Sequence, residues 1–104
     1  FEVNPENATQ LLWGGAVYQV TSDMVSDDEL GSYIDILAES VTFDTETKIP
    51  LSKEDLSKID WYGENAGQGR ECWFYTDVYE IYGTDKAEAV AVEVNNNYYI
   101  AKRQ

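Results

Sequence analysis

Apolar residues fall in short runs separated by turn residues, and most of the runs alternate. Leu11-Leu12-Trp13 and Ala16-Val17-Tyr18-Gln19-Val20 stand on either side of Gly14-Gly15. Two glycines between apolar runs predict a two-residue hairpin, because primed turns need positive φ at both central positions. Tyr33 to Phe43 predicts a strand, with Ile34, Ile36 and Ala38 on one face and Tyr33, Asp35, Leu37, Glu39 and Val41 on the other. A helix over 27–40 competes, since Leu30, Ile34 and Leu37 stand near helical spacing. Gly31 and the β-branched and aromatic content favour the strand. Trp73 to Tyr82 reads as an aromatic-rich strand, open to a split near Thr76-Asp77. Glu88 to Val94 alternates cleanly, with Val90, Val92 and Val94 on one face. Asn95-Asn96-Asn97 predicts a turn, because asparagine tolerates left-handed backbone. Tyr98 to Ala101 forms the last strand.

The punctuation between these runs is equally readable. Ser26 followed three residues later by Glu29 is a capping box, and Asp27 and Asp28 suit the positive end of a helix dipole. Gly31 is expected to end this helical turn as a left-handed cap. Asp44 to Lys48 is a polar turn, and Ile49-Pro50 is extended. Ser52-Lys53-Glu54-Asp55-Leu56 repeats the start signal more weakly and predicts one helical turn at 53–58. Gly63 to Arg70 is the longest loop. It lacks the Lys-Ser/Thr pair of a phosphate-binding loop and precedes a strand rather than a helix. Residues 1–10, with Pro5 and no period, predict a linker leading into a domain at 11–104. The sum is a mainly β fold: a twisted, mostly antiparallel sheet or half-open barrel of about six to seven strands, with one or two short helical turns.

Length and composition narrow the function classes. A chain of 104 residues suits one domain with an independent core. Twenty acidic residues against seven basic ones give a net charge of −13. Such a surface repels phosphates and anionic lipid, which sets nucleic acid aside, and attracts cationic partners. There is no histidine, so Ser-His and Cys-His catalytic pairs and histidine metal sites are excluded. The single cysteine, Cys72, allows no internal disulfide, and its apolar neighbours suggest a packed residue. Asp23 and the acids at 27–29 lack the spacing of a calcium loop, and no acid pair sits in a glycosidase motif. No enzyme activity, cofactor or metal is expected. The chain begins at Phe1 rather than Met, which reads as a processed or truncated product. Tyr98 and Tyr99 are adjacent in an alternating strand, so both cannot point inward. A tyrosine exposed among carboxylates suits a cationic, partly apolar peptide.

The ordered set Val25-Ser-Asp-Asp-Glu-Leu-Gly31, Ile36-Leu-Ala-Glu39, Lys48-Ile-Pro50, Lys58-Ile-Asp60, the Trp73/Tyr75 spacing, Ile81-Tyr-Gly83 and Glu88-Ala-Val-Ala-Val-Glu-Val94 resembles the lantibiotic (nisin) immunity lipoprotein family, in its C-terminal domain. The resemblance runs from about residue 13 to 103. It implies a secreted, non-enzymatic protein that is lipid-anchored on the outer face of a Gram-positive membrane. Such a protein binds a cationic lantibiotic and keeps it from its target. It further implies membrane contact only through an N-terminal lipid anchor outside this chain, and a monomer is expected. Asp27, Asp28, Glu29, Asp35 and Glu39 are then the candidate acids, with Tyr98 and Tyr99 supplying contact area. A general cell-surface protein-interaction module is the alternative.

Overall fold

The computed structural model describes residues 1–51 and 69–104. The expected turn at 53–58 and most of the 63–70 loop lie outside them. Among the described residues, seven antiparallel strands form one sheet: β1 Glu2–Asn4, β2 Asn7–Trp13, β3 Ala16–Met24, β4 Leu30–Asp44, β5 Arg70–Ile81, β6 Ala89–Val94 and β7 Asn97–Arg103. Their spatial order is β1-β2-β3-β7-β6-β5-β4. Hairpins therefore run from β1 to β3. The chain then jumps to the far edge, and β4 to β7 return as a meander that closes on β3.

Both tight hairpins follow from residues that accept left-handed backbone. Gly14 and Gly15 take φ of 55° and 82° between the Trp13↔Ala16 pair. Asn95 and Asn96 take 51° and 70° between Val94 and Asn97. A side chain at Gly15 meets no neighbour within 4 Å, yet its φ is one that L-residues avoid. Gly15→Ala is therefore expected to lower stability by about 1–2 kcal/mol through backbone strain alone. Chemical denaturation measures this directly.

The sheet curls until its edges meet. The Ala8 amide donates to the Lys48 carbonyl at 2.7 Å, which joins β2 to the turn after β4. The Tyr75 hydroxyl donates to the Ala8 carbonyl at 2.6 Å from the opposite wall. Inside this nearly closed barrel lie Val3, Leu11, Tyr18, Val20, Val41, Phe43, Tyr75, Val78, Val90, Val92, Val94 and Ala101. The Val90/Val92/Val94 alternation faces this interior as its spacing predicts. Each of the valines, Leu11 and Phe43 contributes on the order of 1.5–3 kcal/mol of transfer free energy.

Three expectations are corrected. Residues 1–10 are not a linker: they carry β1 and the first half of β2, and Val3 and Ala8 are buried. Short strands joined by a turn at Pro5 leave no period long enough to read. Cys72 is exposed rather than packed, because inward-facing Trp73 reverses its direction. Its Sγ lies 3.5 Å from Ser40 Oγ. Gly31 is not a left-handed cap. Leu30 ends the turn in extended backbone, and Gly31 lies inside β4 against β5. A Cβ there would sit 3.2 Å from the Glu80 carbonyl oxygen. Close strand approach, not turn geometry, requires this glycine. Gly31→Ala is expected to cost about 1–3 kcal/mol, read as a shifted denaturant midpoint at unchanged slope.

The long strands are irregular in a specific way. The β4–β5 register shifts between Leu30 and Tyr33, between Tyr33 and Asp35, and between Ile36 and Glu39, where Ala38 has φ of 47°. These bulges defeat the simple two-face pattern expected for Tyr33–Phe43. The predicted split at Thr76-Asp77 is a bulge, with Tyr75 opposite Val94 but Val78 opposite Val92.

Candidate functional site

The outer face is organised by alternation and by one bulge. Val78 points into the barrel, so Tyr79 points out. Tyr99 packs against the interior cluster, so its neighbour Tyr98 points out. Tyr33 stands opposite Tyr79 across the β4–β5 ladder. The result is a row of three rings over β4, β5 and β7. The Tyr33 and Tyr79 centroids are 5.4 Å apart and nearly perpendicular, and those of Tyr79 and Tyr98 are 5.8 Å apart at 75°. Edge-to-face pairs of this kind add about 0.5–1.5 kcal/mol beyond area burial and fix the ring planes. Tyr33 remains 53% exposed, so the row is a surface and not a buried seam.

Carboxylates border the row. Partial burial raises the Tyr33 phenol above its ordinary range, and the charges of Asp77 and Asp35 raise it further. Tyr98 is raised first by burial, then by Glu93, with Tyr79, Asp27 and Asp77 adding to it. The phenols therefore stay neutral throughout the physiological range and remain hydrogen-bond donors. Asp77 acts on both outer rings. Glu93 is opposite Tyr98 in the β6–β7 ladder and accepts a 2.6 Å hydrogen bond from Thr76. Asp35 accepts from the Ile36 amide at 2.8 Å, which holds it below the usual carboxylate range, and the Phe1 amino nitrogen lies 3.2 Å away.

The acidic turn reaches this face through a pinned crossover. The Val25 amide donates to the Tyr98 carbonyl at 2.9 Å, and the Tyr82 amide donates to the Glu29 carbonyl at 2.7 Å. Val25 is buried yet is not part of the interior cluster, so the crossover rests on the outside of the sheet. Between these anchors the capping box forms around a single 3₁₀ turn, Asp27–Glu29. Glu29 Oε1 accepts from the Ser26 hydroxyl at 2.9 Å and from the Ser26 amide at 3.3 Å.

The residues singled out from the sequence separate accordingly. Asp27, Asp35 and Tyr98 come together at the tyrosine row. Asp28 is exposed on the same turn as Asp27, and Glu29 is engaged in the cap. Glu39 lies elsewhere, opposite Tyr75 beyond the Ala38 bulge. Tyr99 faces the interior. Tyr33, Tyr79, Asp77 and Glu93 complete the face and were not among those residues. The inward direction of Val92 and Val94 was a usable signal for Glu93. Asp77 needed the bulge, which no alternation rule reveals.

The chain matches the family described as "Lantibiotic immunity protein Spa1 C-terminal domain" over residues 3–101. It is 32% identical over 103 residues to the nisin immunity protein of Lactococcus lactis subsp. lactis, spanning 99% of this chain but 42% of that protein. The chain therefore spans less than half the length of that relative. The solution structure of the C-terminal domain of NisI, a lipoprotein from Lactococcus lactis that confers immunity against nisin, superimposes with a TM-score of 0.83 at 31% identity, over 98% of this chain and 94% of that domain. The crystal structure of full-length NisI from Lactococcus lactis, in a lipid-free form, gives 0.83 at 28% identity, over 98% of this chain and 46% of that one. This is not a known enzyme family, and the two NisI structures share this fold. With the family's match running through all seven strands, the chain belongs to the lantibiotic immunity proteins, as a domain of the Spa1 C-terminal type.

Proposed function

We propose that this domain binds a cationic lantibiotic at the outer face of a Gram-positive cell and withholds it from the membrane, giving the producer immunity. The observation that carries this reading is the row Tyr33-Tyr79-Tyr98 bordered by Asp27, Asp35, Asp77 and Glu93, on a chain of net charge −13. Fixed rings offer apolar area at low entropic cost, and carboxylates around them steer a cationic peptide and pair with its ammonium groups. Family membership supports the immunity role, and a lipoprotein relative supports anchoring by a lipid at the cell surface.

Calorimetric titration with nisin across a salt series tests the proposal. Affinity is expected to fall as salt rises, because exposed charges are screened over about 10 Å at 0.1 M. Asp77→Asn and Glu93→Gln should each weaken binding about threefold at low salt and flatten the salt dependence. Absence of binding at low salt, or binding indifferent to salt, would overturn it. Affinity for an unrelated surface protein without any for lantibiotics would favour the general interaction module.

A further inference from the structure

A second concavity lies on the opposite side of the sheet, at the mouth of the barrel. The β3–β7 ladder runs Val20↔Ala101 and then resumes at Met24↔Tyr99, so four steps of β3 oppose two of β7. The two surplus residues fall within 21–23, where the bulged strand bends. The opening is a cleft of about 360 Å³ lined by Val20, Thr21, Ser22, Glu71, Trp73, Val94, Asn95 and Tyr99. That volume falls at the small end of ordinary ligand sites.

Its walls are held in place. Trp73 meets Phe43 edge-on at 5.4 Å and Tyr75 at 6.0 Å, and both of those rings are fully buried. Asn95 is tied to β5, accepting from the Phe74 amide at 2.9 Å through its side chain and donating to the Phe74 carbonyl at 3.0 Å through its backbone. Thr21 donates to the Ile100 carbonyl at 2.8 Å. The Glu71 carboxylate forms no ion pair among the described residues. The cleft thus combines an aliphatic floor, two aromatic walls and one uncommitted carboxylate at the rim.

We infer that this cleft binds a primary alkylammonium on an apolar stem, such as a lysyl side chain of the cationic peptide, with the stem between Trp73 and Tyr99 and the ammonium at Glu71. Methylene groups fill the aliphatic floor, the ring faces attract the cation, and the carboxylate accepts its charge-assisted hydrogen bonds. A neutral or anionic ligand leaves Glu71 without a partner. The peptide as the source of the amine rests on the proposed function; the chemistry of the cleft does not.

The test uses amide-resolved NMR titration with two probes that differ by the terminal ammonium, N-acetyl-lysine methylamide and N-acetyl-norleucine methylamide, and a third arm with lysine amide, whose α-amine is free. The lysine probe should shift the resonances of Ser22, Glu71, Asn95, Tyr99 and the Trp73 indole, and bind at least tenfold more tightly than the norleucine probe. Glu71→Gln should abolish that preference while leaving norleucine binding in place. Ser22→Phe, an exposed position in the bulged segment, should block both. Equal binding of the two probes, an unchanged preference in Glu71→Gln, or shifts confined to Tyr33, Tyr79 and Tyr98 would overturn the inference. Tighter binding of lysine amide than of the acetylated probe would assign the ammonium to a peptide N-terminus instead of a side chain. If nisin binds Glu71→Gln as it binds the parent, the cleft is not part of the peptide site and the outer face stands alone. If the lysine probe binds and nisin does not, the lantibiotic reading fails and the cleft chemistry survives.

Discussion

Tyr75→Ala is expected to destabilise the protein by about 3–5 kcal/mol, the range for truncating a large buried ring. That is a large part of the stability of a typical small domain. Tyr75 is fully buried, stacks edge-on against Trp73, and donates its hydroxyl to the Ala8 carbonyl at 2.6 Å. Ala8 is also where β2 meets the end of β4, through its amide to Lys48. Truncation therefore leaves a cavity in the interior and removes a bond between opposite walls of the barrel. Tyr75→Phe separates the two effects. It keeps the ring, leaves the Ala8 carbonyl without this donor, and should cost about 1–3 kcal/mol. Equilibrium denaturation of the two variants reads both numbers, and equal costs would show that the ring is dispensable.

The same residue predicts a pH dependence. Burial pushes the Tyr75 phenol well above its ordinary range, and the nearby charge of Glu39 adds to the shift. A folded-state pKa raised above the unfolded value means that the native protein holds this proton more tightly. The associated stability is fully present below about pH 10, the unfolded tyrosine value, and is lost as pH rises toward the folded one. The parent protein should lose stability above pH 10 more steeply than Tyr75→Phe does. Parallel alkaline profiles for the two would contradict the assignment.

The second large effect concerns binding. Tyr79 is the middle ring of the outer row and touches both Tyr33 and Tyr98. Its removal separates the outer rings and opens the centre of the face, where truncations cost most in protein interfaces. Tyr79→Ala should lower nisin affinity by about 2 kcal/mol, close to thirtyfold. Tyr33→Ala, at the more exposed end, should lose less. Tyr82→Ala provides the control: that ring is 81% exposed and lies past the end of β5, so its loss should change nothing. Calorimetry on the three variants, after their denaturation curves are matched, orders them. A Tyr82 effect as large as that of Tyr79 would mean that tyrosine content, and not the row, governs recognition.

Much of this architecture is legible from short-range rules. The two hairpins announce themselves because Gly14-Gly15 and Asn95-Asn96 are the residue types that left-handed turns select. The valine alternation of β6 declares the inner face because residues at period two fall on one side of a strand. What resists reading is whatever breaks the period. Three bulges in β4 and one in β5 each shift a face by one residue, and no local residue type marks them uniquely. For this reason Asp35 and Glu39, both read as facing one way with Tyr33, separate in space, and Asp77 joins the row unannounced. Gly31 shows a related limit. Its identity is conspicuous in sequence, but the cause is the Glu80 carbonyl 49 positions away, and not a turn. Among the acids at 27–29, only Asp27 acts on the row, because the crossover is fixed at Tyr98 on one side and at Tyr82 on the other.

The bulges of β4 also bear on self-association. Among the described residues this strand, fifteen residues long, lies at the end of the sheet order; its last part is covered by the Phe43↔Pro50 bridge and by the Leu51 amide donating to the Thr42 carbonyl at 2.8 Å, and an uncovered ladder can template another copy of the same chain. A flat strand of that length, carrying exposed Tyr33 and Ile36, is a standing risk of edge-to-edge growth. Three register shifts prevent it from presenting more than a few consecutive groups at the regular spacing that an incoming strand requires. The irregularity that obscures the pattern in the sequence is thus also of the kind that blunts edge-to-edge growth of a long border strand.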